Sequence, residues 1–402
     1  MITIASDSSD VKSTAWRTPN VWKITLSAFF ADFGYQAVLA GFPLFLVVVL
    51  KAPIWAYGVA MALSYGPGAI VAYFGGRWGD RSDHRKVAIF GNLLIPLLSL
   101  SALVAIPWEA IALFVMGWLS RNLRSPSRRV MLTQNVDDQH RSHAFGFLHG
   151  LDVGGGVLAA LGLLILLAAH VPFKWIFILT IIPLLISSSL LIAVKPKQYI
   201  APPPKTASKP DPDAGRNVRG VLAAAALYGF SSYSMGFPII TVALSSNSTI
   251  WGVLTYIIFL SVSALTGFGL GHRLKGTIRE LAGLGYLIAA IGSLGLAVAY
   301  ALHGPVMSYY VPIAVLGFAL GAIETLEPTL IARYTSKPRA GRGMGQLTAA
   351  RSVGLFLANL IMGLLYHVTP VAAYGYAAAL ALTAVVVLLV STRKIPPTMV
   401  TE

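Results

Sequence analysis

The sequence predicts an all-α membrane protein with twelve transmembrane helices in two pseudo-symmetric six-helix bundles. Three observations predict it: the composition, a succession of apolar runs of membrane-spanning length, and short motifs that repeat at a steady offset. Of 402 residues, 56% are apolar types and 11% are charged, against roughly 25% charged in soluble domains. Such a chain lacks the polar residues to cover a water-facing surface. Twelve spans of about 20 residues need about 240 mostly apolar positions, close to what the composition supplies.

Taken in order, the first 20 residues are polar and carry no small-residue cleavage site. The apolar run that follows continues to about Leu50, too long for a signal-peptide core, so residues 21–49 are expected to stay as the first span. Charged clusters then separate spans at 54–75, 87–106, 109–134, 144–169 and 174–194. Residues 195–217 include Ala201-Pro202-Pro203-Pro204-Lys205 and Lys209-Pro210-Asp211-Pro212-Asp213, the composition of a flexible linker. A second set of spans follows at 218–243, 250–272, 280–302, 307–334, 344–367 and 371–392. The expected organisation is an N-terminal half (1–194), a linker (195–217) and a C-terminal half (218–402).

The net charge of +15 would suggest nucleic acid in a soluble protein, but its distribution gives another reason. With the spans as assigned, 27 of the 30 Lys and Arg fall on the side of the N-terminus, against Lys51 and Lys174 opposite and Arg351 within a span. The positive-inside rule then puts both termini in the cytoplasm, in a multi-pass protein of the cytoplasmic membrane. With no cysteine, disulfides and thiolate metal sites are excluded. No phosphate-binding loop, zinc-protease or serine-hydrolase motif is present, and the eight histidines are scattered, so neither an enzyme, a metal site nor a cofactor is expected. The expected form is a monomer in the bilayer.

An internal repeat appears at an offset near 195 to 200. Gly41-Phe42-Pro43 recurs as Gly236-Phe237-Pro238, Ile54-Trp55 as Ile250-Trp251, and Gly76 as Gly271. In spans four and ten, Gly117, Arg121, Arg124 and Arg128 match Gly317, Gly321, Glu324 and Pro328. Both sets run i, i+4, i+7, i+11 along one helix face. Ordered matches at a steady offset indicate two related halves.

Between spans two and three runs Gly76-Arg77-Trp78-Gly79-Asp80-Arg81-Ser82-Asp83-His84-Arg85-Lys86. It resembles the G-x-L-x-D-R-x-G-R-R/K signature that the major facilitator superfamily carries in that loop. Trp78, Asp83 and His84 depart from the pattern, and Asp83 stands where a left-handed glycine is usual. The stretches Phe30-Ala31-Asp32-Phe33 to Pro43-Leu44-Phe45-Leu46, and Arg121 to Arg128 with Ala144-Phe145-Gly146-Phe147 and Asp152, resemble a prokaryotic branch that includes drug and metal exporters. Span five has Gly162-Leu163 where the antiporter signature has Gly-Pro. The resemblance implies a carrier fold and a conformational latch of Gly76, Gly79, Asp80, Arg81 and Arg85. In it, Asp80 would meet the N-terminal end of span eleven at Gly341-Arg342-Gly343-Met344-Gly345.

Charged residues inside spans cost roughly 2.5 to 3.5 kcal/mol each and call for a partner or a task. Depth along the helices and the repeat suggest one buried pair per half, Arg124 with Asp152 and Glu324 with Arg351. Asp32 and Glu327 are then unpaired carboxylates, suited to taking a proton on one side and releasing it as a cation approaches. Arg121 is positioned to satisfy either. Gln36, one turn from Asp32, and the counterpart run Tyr228, Phe230, Ser231, Ser232 and Tyr233 are expected to line a central cavity. Pro43, Pro126, Pro238 and Pro328 are kink positions. The function expected is proton-coupled export of a small molecule by alternating access. Uptake by symport and a non-transporting receptor or scaffold are the alternatives.

Overall fold

The computed structural model describes residues 16–137, 140–195, 212–271, 274, 276–334 and 340–392, and among these the regular structure is all helix. The helices are α1 (Pro19–Val49), α2 (Ile54–Arg81), α3 (His84–Leu103), α4 (Pro107–Gln134), α5 (Arg141–Ala168) and α6 (Phe173–Ile192). The second set is α7a (Pro212–Ser231), α7b (Gly236–Ser246), α8 (Thr249–Gly271), α9 (Ile278–Ala301), α10 (Met307–Tyr334), α11 (Ala340–Val368) and α12 (Pro370–Ser391). Local sequence starts several of them. Thr18 and Thr369 accept a backbone N–H at the N-caps of α1 and α12, each followed by a proline at the first helical position, where a missing N–H costs nothing. Thr277 and Glu280 form a reciprocal capping box at the start of α9.

Eleven of the described helices are long and apolar enough to cross a membrane on their own. The twelfth, α4, is 28 residues long like α5 but carries Arg121, Arg124, Arg128 and Arg129. Most of the linker expected at 195–217 lies outside the described residues, and its last six positions belong to α7a, which Pro212 opens. The stretch read as a loop from Gly76 to Lys86 is mostly helix. α2 runs through Arg81, and only Ser82 and Asp83 separate it from α3. Asp83 is not left-handed; its backbone is extended, and its carboxylate caps α3 by accepting the Arg85 N–H at 2.8 Å.

Neighbour relations repeat between the halves. In the first, α1 packs on α5 and α6, α2 on α4, and α3 on α4 and α6; in the second, α7 packs on α11 and α12, α8 on α10, and α9 on α10 and α12. Adding six to each helix number converts one list into the other. The halves meet through α2 with α11, α5 with α8 and α1 with α7.

The apolar core divides along the membrane normal. At the end remote from the termini, Phe42, Tyr57, Phe114 and Phe177 of the first half join Phe237, Tyr309, Met362 and Tyr374 of the second in one cluster. Toward the termini there are two clusters: Val21, Ile24, Met131 and Leu191 in the first half, and Val221, Tyr286, Ile323 and Leu388 in the second. The halves are thus fused at one end and parted at the other. The fused end depends on near backbone contact. A Cβ added at Gly58 of α2 would lie 2.6 Å from the Asn359 carbonyl and 2.9 Å from the Gly363 Cα of α11.

Candidate functional site

A cavity of about 310 Å³ lies between the halves where the shared core divides. The residues from Ser231 to Gly236 form one wall, joined by Tyr256 of α8, Arg351 of α11 and, from the first half, Leu39 and Tyr65. That wall exists because α7 is interrupted at Ser232–Met235. Non-helical backbone at membrane depth is stable only in contact with protein or cavity water, and here protein supplies part of the compensation. The Ser234 N–H donates to Asn359 Oδ1 at 3.0 Å, and the Ser234 hydroxyl meets the Tyr57 hydroxyl of the opposite half at 2.7 Å. The sequence predicts one continuous span at 218–243 with a kink at Pro238. The interruption comes earlier, and Pro238 sits in the first turn of α7b, where it has no hydrogen bond to forfeit.

Asp32, on α1, is only 4% exposed. Its Oδ1 accepts from the Tyr35 hydroxyl and from Gln36 Nε2 at 3.3 Å, while Oδ2 has no partner. Arg121 does not pair with Asp32 by direct ion contact. Its guanidinium lies 4.8 Å from the Trp118 ring centre and 5.2 Å from that of Tyr35, a double cation–π seat that places its charge behind the phenol bonded to Asp32. Gln36 reaches the other half: its Oε1 accepts from the Tyr256 hydroxyl at 2.7 Å. Tyr233 lines the cavity, with its hydroxyl 3.2 Å from that of Ser293.

In the second half the expected pair is present, with Arg351 Nη2 2.6 Å from Glu324 Oε1. Glu327 is not unpaired as the sequence suggested. Arg351 Nη1 lies 3.5 Å from its Oε2, and the Tyr286 hydroxyl donates to its Oε1 at 2.7 Å. One arginine therefore bridges a carboxylate that is half exposed and another that is wholly buried.

The first-half pair differs from expectation. Asp152 is held by Arg128 at 3.2 Å, and Arg124 instead donates to Asn92 Oδ1 at 2.5 Å. Helical side chains lean toward the N-terminus of their own helix. Since α4 and α5 run in opposite directions, Arg128 reaches up one turn while Asp152 reaches down to it. Arg124 is fully buried, and Asn92 passes the network on to Ser187 and Ser188 at 3.2 and 2.7 Å. Asn92, Arg128, Asn359, Tyr256 and Tyr286 were missing from the sequence-derived site. The two asparagines did leave a signal, an amide inside an apolar span, which a search for charge alone passes over.

Of the latch residues, Gly79 is buried against His84 and Ser127, and Arg85 donates to the Ile192 carbonyl. Gly76 faces Pro126, Arg81 is exposed, and the Asp80 side chain is 73% exposed and 3.2 Å from His84 Nε2. Asp80 is therefore engaged within its own helical hairpin; the side chains at 341–345, its expected partners, lie outside the described residues. Among the described residues, no three His, Asp or Glu side chains come together to hold a metal ion.

The family model described as Major Facilitator Superfamily matches residues 24–326. No curated protein sequence matches the chain. Among solved structures, a D-xylose–proton symporter aligns with a TM-score of 0.76 at 13% identity, covering 94% of this chain and 98% of that one. The POT family transporter PepTSo aligns with a TM-score of 0.70 at 13% identity, over 92% and 97% of the two chains. The inward-open xylose transporter XylE from E. coli gives 0.69 at 13% identity, over 94% and 98%. At these identities the likeness is one of fold.

Proposed function

Since the chain belongs to the Major Facilitator Superfamily, we propose that it is a proton-coupled secondary transporter that exports a small organic molecule by alternating access. The observation that carries this reading is a buried carboxylate in each half, Asp32 and Glu327, beside a cavity at the fork between the halves. A scaffold would gain nothing from the cost of inserting such groups. Discontinuous helices at mid-membrane are the usual material of carrier sites, and the α7 interruption supplies one. The cavity volume is at the small end of ligand sites, and its wall is phenolic, hydroxylic and apolar, with the Arg351 charge already matched. These features suit a compact solute with an aromatic or apolar body and a few hydrogen-bonding groups.

The positive-inside distribution supports cytoplasmic termini. On that orientation the parted end faces inward, and Asp80 lies 3.2 Å from His84 Nε2. Uptake by symport is the second reading, favoured by the description of the aligned D-xylose–proton symporter.

Proteoliposomes with a pH dye in the lumen test both. A panel of small aromatic and hydroxylated compounds is added outside without an imposed pH gradient. Exchange predicts that entry of a transported compound turns the lumen alkaline, and symport that it turns acid. The sign does not depend on protein orientation in the vesicle. Asp32→Asn is expected to remove the pH change. Compound entry with an unchanged lumen pH would refute proton coupling.

A further inference from the structure

Asp32 does not form the cavity wall, yet one continuous hydrogen-bonded path joins it to that wall. The path runs from Asp32 Oδ1 to Gln36 Nε2, and from Gln36 Oε1 to the hydroxyl of Tyr256, which lines the cavity. It also crosses between the halves, because Gln36 belongs to α1 and Tyr256 to α8. We propose that Gln36 and Tyr256 are positioning residues that relay the protonation of Asp32 to the solute, by setting whether Tyr256 offers the cavity an acceptor or a donor. This rests on the proton-coupled reading above and gives that site its coupling route.

Donor and acceptor counts decide what each end of the path can offer. An ionised carboxylate only accepts, whereas an amide has one donor end and one acceptor end. With Asp32 ionised, Gln36 must turn its NH₂ to the carboxylate and its oxygen to Tyr256. The Tyr256 O–H is then used on Gln36, and what remains toward the cavity is oxygen lone pairs. A proton on Asp32 that settles on Oδ1, the oxygen facing Gln36, makes that oxygen a donor, and the amide reverses so that its oxygen accepts this O–H. Gln36 then offers NH₂ to Tyr256, and the Tyr256 O–H turns to the cavity. A solute that donates a hydrogen bond there is held by the ionised form and dismissed by the protonated one, as exchange requires.

The charged and titratable groups that face Asp32 come from three other helices besides its own. They are Arg121, Arg124 and Arg128 of α4, Asp152 of α5, Tyr35 on α1 itself and Tyr256 of α8. Tyr65 of α2 acts on this set through Arg121 and Tyr256. Asp152 is already matched to Arg128.

The proton itself is the probe. The chain has no cysteine, so His143→Cys on α5 and Thr329→Cys on α10 carry a spin-label pair across the parted end. Distances are recorded in nanodiscs from acid to alkaline buffer. In otherwise wild-type protein the open fraction is expected to change with pH, and Asp32→Asn to abolish that change. Tyr256→Phe and Gln36→Leu are each expected to reduce the pH response at least twofold, with the double variant no worse than either. The infrared carboxyl band that disappears in Asp32→Asn should persist in Tyr256→Phe at a shifted frequency, showing that the proton still binds. A full pH response in Tyr256→Phe, or loss of that band, overturns the relay. If the parent pair has no response that Asp32→Asn removes, the relay and the proton-coupled reading fall together. A compound-dependent lumen pH change with an unaltered Tyr256→Phe response sinks the relay alone.

Discussion

Arg128 and Asp152 join α4 to α5 with their side chains 7% and 24% exposed, and at that burial an abandoned charge is costly. Arg128→Asp or Asp152→Arg alone should each lower stability by about 3–5 kcal/mol, measured as a fall in melting temperature in detergent. The combined swap should recover most of the loss, whereas Arg124→Asp with Asp152→Arg should not, because Arg124 faces Asn92. On the other side, Glu327→Gln keeps an acceptor for Tyr286 but removes a charge from Arg351, and is expected to slow compound-driven proton movement with little change in melting temperature. The presence of these charges was legible in the sequence, since a charged residue in an apolar run declares itself. Their partners were legible only where depth along the helices sufficed, as for Glu324 and Arg351. Arg128 was missed because the lean of two antiparallel helices displaces contact by one turn, and a count of rise per residue does not include that lean.

At the scale of elements, the twelve spans could be read because each is a run of apolar residues closed by charge, and their ends differ from expectation by a few residues. What could not be read was the interruption of α7. Pro238 has no N–H for the Ser234 carbonyl and its ring crowds that carbonyl, but the extent of the break depends on a partner elsewhere, Asn359 of α11, which takes the Ser234 N–H. Asn359→Leu should orphan that N–H and cost about 1–3 kcal/mol, seen as a lower melting temperature. The hairpin between α2 and α3 was misread in the opposite direction. A motif dense in charge and glycine looks like a loop, but Asp83 caps α3 so early that only two residues are left to turn.

At the scale of the whole molecule, the repeat at an offset near 200 announced two related halves, and the matching neighbour lists of α1–α6 and α7–α12 have the same origin. The state in which the halves rest was not legible, because under the alternating access proposed above one sequence encodes both arrangements. The fused end is held by approaches as close as that of Gly58 to α11. Gly58→Leu should wedge that end apart and shift spin-label distances across it to longer values, with the parted end responding in the opposite sense. Another consequence concerns the making of the protein. Arginines near the centre of a span oppose insertion by about 2.5–3.5 kcal/mol each, and α4 has Asn92 for Arg124 behind it in the chain but Asp152 for Arg128 still to be synthesised. A ribosome-bound chain ending after α4 should therefore fail to insert that helix fully in a glycosylation-mapping assay, and one ending after α5 should succeed. The fourth helix enters the bilayer on credit from the fifth, so the order of translation is part of what makes this bundle possible.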